Sequence, residues 1–153
     1  MQEVWLLHLA ACSFLTGLIW VIQWVHYALF DRVGHETWRA YHDAHTKRIS
    51  MIVVPAMLLE LVTVLILVLR PLEGLAAGEA YALGLLTCLI WLSTFAIQVP
   101  LHGQLAALQV PSLPRIQKLV LSNWIRTIAW SLKCLLCFQI QWRWQTLGFD
   151  RFS

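Results

Sequence analysis

Four long stretches of almost uninterrupted apolar residues dominate this sequence of 153 residues. They cover residues 4–30, 49–69, 81–99 and 119–140. Each is close to the ~20 residues that a helix needs to cross a hydrocarbon core of roughly 30 Å. Because a segment in lipid must satisfy its own backbone hydrogen bonds, runs of this length indicate helices and not strands. The sequence therefore predicts an all-α integral membrane protein, a four-helix transmembrane bundle.

The expected bundle is one domain, 1–153, with helices at about 4–30, 36–69, 80–100 and 117–141. The second helix is expected to begin well before its apolar run, as a cytoplasmic extension that follows a break at Gly34. The first run lacks a basic leading segment and a small-residue cleavage site. We therefore interpret it as a membrane span and not as a signal peptide.

The composition favours lipid over water as the surrounding medium. Hydrophobic residues make up 59% of the chain and charged residues only 12%, against about 25% charged in soluble domains. Nine tryptophans lie mostly near the expected helix ends, as in interfacial aromatic belts. The net charge of +3 is small, and the basic residues are spread over the loops. The expected partner is therefore the lipid bilayer and not a nucleic acid.

The basic residues are unequally divided between the two expected membrane sides. Six belong to the side where helix 1 ends and helix 2 begins: Arg32, Arg39, Lys47, Arg48, Arg115 and Lys118. Three belong to the other side: Arg70, Arg143 and Arg151. The positive-inside rule places the richer side in the cytoplasm and both termini outside.

Each predicted helix brings a polar pair or triplet to the same cytoplasmic membrane level. This coincidence is the strongest functional signal in the sequence, since polar groups in spans are costly and often functional. The members share a helix face through spacings of three, four or seven. They are Gln23 with His26, His35 with His42 and His45, Gln98 with His102, and Asn123 with Arg126 and Thr127.

Imidazoles from several helices suggest a metal site, because bundle cores commonly bind metals through inward-facing side chains. Iron or copper is favoured and zinc is possible. Arg126 is predicted to bind an anionic or carbonyl group. The candidate ligands are His26, His42, His45 and His102, with Gln23, Gln98 and Asn123 in supporting roles. The alternative is that these are interfacial polar residues that cap and hold the helix ends.

Glu60 and Lys133 lie deeper, at similar expected depths on helices 2 and 4. A lone charge at that depth is costly, so the two are expected to pair. The pair either fixes one helix against the other, or moves protons toward the histidines as part of a catalytic site, or contacts the substrate.

Four cysteines fall in the outer half of the expected bundle: Cys12, Cys88, Cys134 and Cys137. We interpret them as buried free thiols that act as small hydrophobic residues. The alternative is a thiol–disulfide exchanger built on the C-x-x-C of Cys134 and Cys137, which would need that motif exposed.

Two stretches resemble the small haem-binding bacterial protoporphyrinogen oxidases, which are four-helix membrane proteins of similar length. The resemblance implies a haem-linked role for His8, a matching histidine at His102, and a bacterial inner-membrane location. One difference is that 79–90 contains no lysine where the family has a functional one. The matching residues are Trp5, Leu6, Leu7, His8 and Gly17, then Thr46, Lys47, Arg48 and Ile49 leading into Val54, Pro55, Ala56 and Met57.

Together these features predict a membrane oxidoreductase that acts on a lipophilic small molecule or quinone, using a His-ligated metal or haem. Arg126 would bind the substrate, and Glu60 with Lys133 would move protons. The alternative is a non-enzymatic membrane protein, either a small transporter or a structural subunit, in which the Glu60–Lys133 pair marks a pathway or a packing contact.

Overall fold

A computed structural model describes residues 1–146, so Arg151 lies outside the described residues. This part of the chain is helical and contains no strand. The connections are short, as in antiparallel helix bundles. In chain order the α-helices are α1 (Gln2–Val21), α2 (Trp38–Leu69), α3 (Ala77–Ser93), α4 (Val99–Ala106) and α5 (Leu113–Thr146).

Two of these helices are lengthened by π-helical turns, in which each N–H bonds to the carbonyl five residues earlier. Ile22–His26 extends α1, and Thr94–Gln98 joins α3 to α4 into one continuous rod. The resulting helical segments, Gln2–Arg32 and Ala77–Ala106, are 31 and 30 residues long. Within residues 1–146 the chain thus forms four long helical segments, or rods, as the sequence predicts. Their ends lie within a few residues of the expected bounds.

The four rods pack side by side, with α1 and α3 each in contact with both α2 and α5. One end of the bundle holds the C-terminal ends of α1 and α4 and the beginnings of α2 and α5. We call it the basic end, because it holds the six basic residues counted above. At the opposite end, Arg143 of α5 forms a double hydrogen bond with Glu79 of α3 at 2.7 and 2.8 Å.

The surface of the bundle is apolar and much of its interior is polar. Leu92, Leu121 and Leu135 are each more than 60% exposed. The buried polar and charged side chains are His8, Gln23, His42, Glu60, Thr63, Thr87, Ser93, Gln98, Asn123, Arg126, Thr127 and Lys133. This distribution is the reverse of the one expected for a protein in water.

Three helices in the described part are long and apolar enough to cross a membrane: Gln2–Arg32, Trp38–Leu69 and Ala77–Ala106. The 34-residue α5 is also long enough but is not one of these three. Its polar residues Asn123, Arg126 and Lys133 are buried against the other helices. In the middle of α5 the large exposed side chains are apolar: Leu121, Ile125, Ile128, Leu132, Leu135 and Phe138.

Candidate functional site

A cavity of about 640 Å³ lies near the basic end, between α1, α2 and the α3–α4 rod. Most of its wall is apolar. Val54, Phe95 and Val99 line it and are also about half exposed, so its mouth opens sideways between α2 and the α3–α4 rod. The polar side chains in its wall include Tyr27, His42, Gln98, His102 and Arg126.

Arg126 is the charged group in the interior of this site. It is only 6% exposed, and no carboxylate within residues 1–146 forms an ion pair with it. Its Nε donates a hydrogen bond to Asn123 Oδ1 at 2.9 Å, and its Nη2 donates to the same oxygen. Its Nη1 makes no hydrogen bond in the described part of the chain. A buried cation without a counter-ion is costly, so an anionic or carbonyl oxygen in the cavity would be bound strongly.

The amides beside Arg126 hold it in place. Asn123 Nδ2 donates to Gln23 Oε1 at 2.7 Å, and Gln23 Nε2 donates to the backbone carbonyl of Val120 at 3.1 Å. Because each amide group is oriented by its neighbour, Asn123 must present its oxygen to the guanidinium. Gln98 stands apart from this network and donates to Ser122 Oγ at 3.0 Å. The predicted grouping of Gln23, Asn123 and Arg126 is therefore present.

Tyr27, His102 and His42 form a continuous line of hydrogen-bonding contacts. An arginine only donates, so the Tyr27 hydroxyl accepts from Arg126 Nη2, at 3.5 Å. The Tyr27 oxygen lies 2.8 Å from Nε2 of His102, and Nδ1 of His102 lies 3.2 Å from Nε2 of His42. Because a hydroxyl has one donor hydrogen and two acceptor lone pairs, this line can be satisfied in either direction. In the arrangement where Tyr27 donates to His102, both neutral histidines carry their hydrogen on Nδ1, and the Nδ1 of His42 is buried with no partner in the described residues.

The histidines predicted to bind a metal do not converge on one point. His42 and His102 are hydrogen-bonded to each other, the ring centroid of His45 is 6.5 Å from that of His102, and His26 packs on His45 at 5.3 Å. Within residues 1–146 no group of three or more His, Cys, Asp or Glu side chains is placed to hold a metal ion. These residues do not fit the predicted iron, copper or zinc site.

His35 lies apart from the other histidines. It is exposed and precedes α2, which begins at Trp38, so it does not share a helix face with His42 and His45. The expected extension of helix 2 is present but begins two residues later than predicted.

The expected ion pair of Glu60 and Lys133 is present and completely buried, with 2.9 Å between Nζ and Oε1. Trp130 Nε1 donates to both Glu60 oxygens at 3.1 and 3.2 Å. Lys133 also donates to Thr87 Oγ1 at 2.5 Å. The pair thus joins α2, α3 and α5. Its predicted catalytic role stays a prediction.

His8 is completely buried, and its Nδ1 lies 2.9 Å from Thr63 Oγ1. Its Nε2 is buried without a partner in residues 1–146. His8 does not line the cavity, and its ring packs near Trp5, with centroids 6.3 Å apart. The cavity therefore does not extend to His8, and the haem-linked role of this histidine stays a prediction.

The cysteines are free thiols in the described structure, as expected, but the expectation that all four are buried is wrong for Cys88 and Cys134. Cys12 and Cys137 are buried, Cys134 is partly buried, and Cys88 is exposed on the apolar surface. Because Cys137 is buried, the C-x-x-C lacks the exposure that thiol–disulfide exchange requires.

Several residues of the site were not predicted from the sequence. Tyr27 is four residues after Gln23, and Thr63 and Trp130 are each three residues from Glu60 and Lys133. Helical spacing to an already singled-out residue was the signal that could have found them. Aromatic and hydroxyl residues near helix ends or within spans are, however, common for other reasons.

Comparisons of the chain with protein-family models, with curated proteins and with solved structures found no match.

Proposed function

We propose that this chain is a four-helix transmembrane protein that binds a lipophilic molecule through an anionic or carbonyl head group. The apolar surface in the middle of the bundle supports membrane insertion, because Arg126 and Lys133 of α5 are buried among the other helices. The excess of basic residues at the basic end supports a cytoplasmic position for that end, with the opposite end outside.

The observation that carries the ligand proposal is Arg126, a buried guanidinium without a carboxylate partner in residues 1–146, in the wall of an apolar cavity. Ligand sites commonly combine an apolar pocket with a few polar groups that fix orientation. The volume of about 640 Å³ lies within the usual range of such sites, roughly 300–1,000 Å³. The ligand tail would lie along the apolar wall, and its head would meet Arg126.

An oxidoreductase acting on such a ligand remains part of the proposal, with a quinone as a substrate of suitable chemistry. The metal- or haem-dependent form has no support from the positions of His8, His26, His42 and His45, which are packed against protein side chains. What the cavity residues support is recognition of an oxygen-bearing head group.

The test is equilibrium binding of two labelled probes, oleate and decylubiquinone, to the protein in lipid nanodiscs. Arg126→Gln should weaken oleate binding roughly tenfold or more, because a hydrogen bond to a charged group contributes about 1.5–3 kcal/mol. Decylubiquinone, which is neutral, should lose less affinity.

Arg39→Gln is the matched control, since Arg39 is exposed on α2 outside the cavity. It should bind both probes like the unchanged protein. Equal affinities in Arg126→Gln and Arg39→Gln would contradict the ligand site.

A further inference from the structure

We propose that Tyr27, His102 and His42 form a proton path that removes the proton from a hydroxyl group bound against Arg126. The inference rests on the proposed ligand site and names its substrate class as lipophilic phenols or quinols. It depends on the continuous line of contacts from Arg126 through Tyr27 and His102 to His42, and it uses the arrangement in which Tyr27 donates to His102.

Tyr27 and Arg126 both lie in the cavity wall and are hydrogen-bonded to each other at 3.5 Å. A ligand oxygen that accepts from Arg126 is therefore brought close to the tyrosine oxygen. The guanidinium stabilises negative charge on the ligand oxygen as the proton leaves, in surroundings where water competes little.

The proton transfer is balanced by hydrogens already present in the line. The ligand hydroxyl gives its proton to the Tyr27 oxygen as Tyr27 gives its own to Nε2 of His102. His102 gives the hydrogen on Nδ1 to Nε2 of His42, across the 3.2 Å contact. The ligand becomes an oxyanion beside Arg126, and His42 becomes an imidazolium. No bond other than those to hydrogen changes.

The proton then leaves from the far nitrogen of His42. This Nδ1 is buried and has no partner in residues 1–146, so its hydrogen is not held by another protein group there. The neighbouring Asp43 is exposed and lies at the cavity rim toward the basic end. Its carboxylate and the solvent around it are the natural proton acceptors, since an unpaired buried donor commonly meets water.

The experiment uses a nitrophenol carrying a dodecyl chain, because its phenolate form has a visible absorption band that the phenol lacks. The probe is mixed with protein in nanodiscs at a pH where the free probe is mostly protonated. Binding is followed by its quenching of tryptophan fluorescence, ionisation by absorbance, and proton release by a pH indicator in the buffer. The unchanged protein should bind the probe as phenolate and release one proton per probe bound.

Tyr27→Phe should ionise the bound probe roughly a hundredfold more slowly than the unchanged protein, with the rate expressed per probe bound. Tyr81→Phe is the matched control, because Tyr81 is exposed on α3 away from the cavity, and it should be as fast as the unchanged protein. His102→Gln interrupts the same path. It is the test variant to use if Tyr27→Phe does not fold.

The outcomes separate the proton path from the ligand site. Binding of the probe in its protonated form, or ionisation in both Tyr27→Phe and His102→Gln at the original rate, would overturn the proton path while leaving the ligand site. Failure of the probe to bind at all would overturn both proposals.

Discussion

At the scale of single residues, the interior of this protein is held by charges that are fully enclosed. Glu60 receives hydrogen bonds from Lys133 and from Trp130, so both carboxylate oxygens are satisfied. Removing one partner of such a pair leaves an uncompensated buried charge. Replacing both partners by uncharged groups does not, and this difference makes the role of the pair measurable.

We expect Glu60→Gln to lower the free energy of unfolding by about 3 kcal/mol, because Lys133 is left without its counter-charge. The double variant Glu60→Gln with Lys133→Met should recover most of that loss. The measurement is denaturant unfolding in mixed micelles. Glu3→Gln, at an exposed position of α1, is the control and should be unchanged. A loss in Glu60→Gln as small as that in the control would show that the pair contributes little.

Sequence reasoning succeeds for this pair because the cost of a charge at membrane depth leaves few alternatives. Regular α-helical spacing allows both His26 and Tyr27, three and four residues after Gln23, to share its face, so spacing alone does not choose between them. In the π-helical turn Ile22–His26 the hydrogen bonds span five residues. The residue that shares the face of Gln23 therefore lies more than three positions after it. Tyr27 thus lies beside Arg126 of α5, and His26 packs against His45 of α2.

At the scale of elements, the short helix α4 sets the shape of the cavity. Its residue Gly103 lines the cavity and is exposed, and a Cβ added there would meet nothing within 4 Å. A Cβ is therefore accommodated at this position, and we expect a longer side chain there to narrow the mouth. The approximate helix bounds can be predicted from the lengths of the apolar runs. The cavity cannot, because its shape depends on the side-chain volumes of all four rods that line it.

We expect Gly103→Leu to weaken oleate binding at least severalfold while leaving the thermal unfolding midpoint unchanged or slightly raised, since leucine favours helix more than glycine does. Gly17→Leu is the matched control. It is also helical, a Cβ there meets nothing within 4 Å, and it does not line the cavity. Equal binding by the two variants would show that the ligand does not pass α4.

At the scale of the whole molecule, the distribution of polar groups fits a protein surrounded by lipid. Arg126 and Lys133 lower the hydropathy of α5, but both side chains are buried in the bundle. Hydropathy summed along one helix does not record which face a charge lies on. The position of each charge relative to the outer apolar face becomes clear only once the rods are packed.

We expect Leu92→Arg to reduce the membrane-inserted fraction of the protein, because an arginine facing lipid near the middle of a span costs about 2.5–3.5 kcal/mol. Leu92 is 62% exposed, and the same change on the surface of a protein in water would alter stability by only about 0.5 kcal/mol. Resistance to alkaline extraction from membranes measures the effect. Leu113→Arg, at the first residue of α5, is the control. Full insertion of both variants would contradict the transmembrane proposal.

The sideways mouth between α2 and the α3–α4 rod has a consequence for how the proposed binding site would be supplied. In the proposed transmembrane arrangement a ligand would enter there from the membrane, so the site would respond to the ligand's mole fraction among the lipids and not to its concentration in the buffer. Adding empty vesicles to a binding assay should then dilute the ligand and release it from the protein at constant total concentration. A molecule with modest affinity for Arg126 could still keep the site filled in a cell, provided that it partitions strongly into the bilayer.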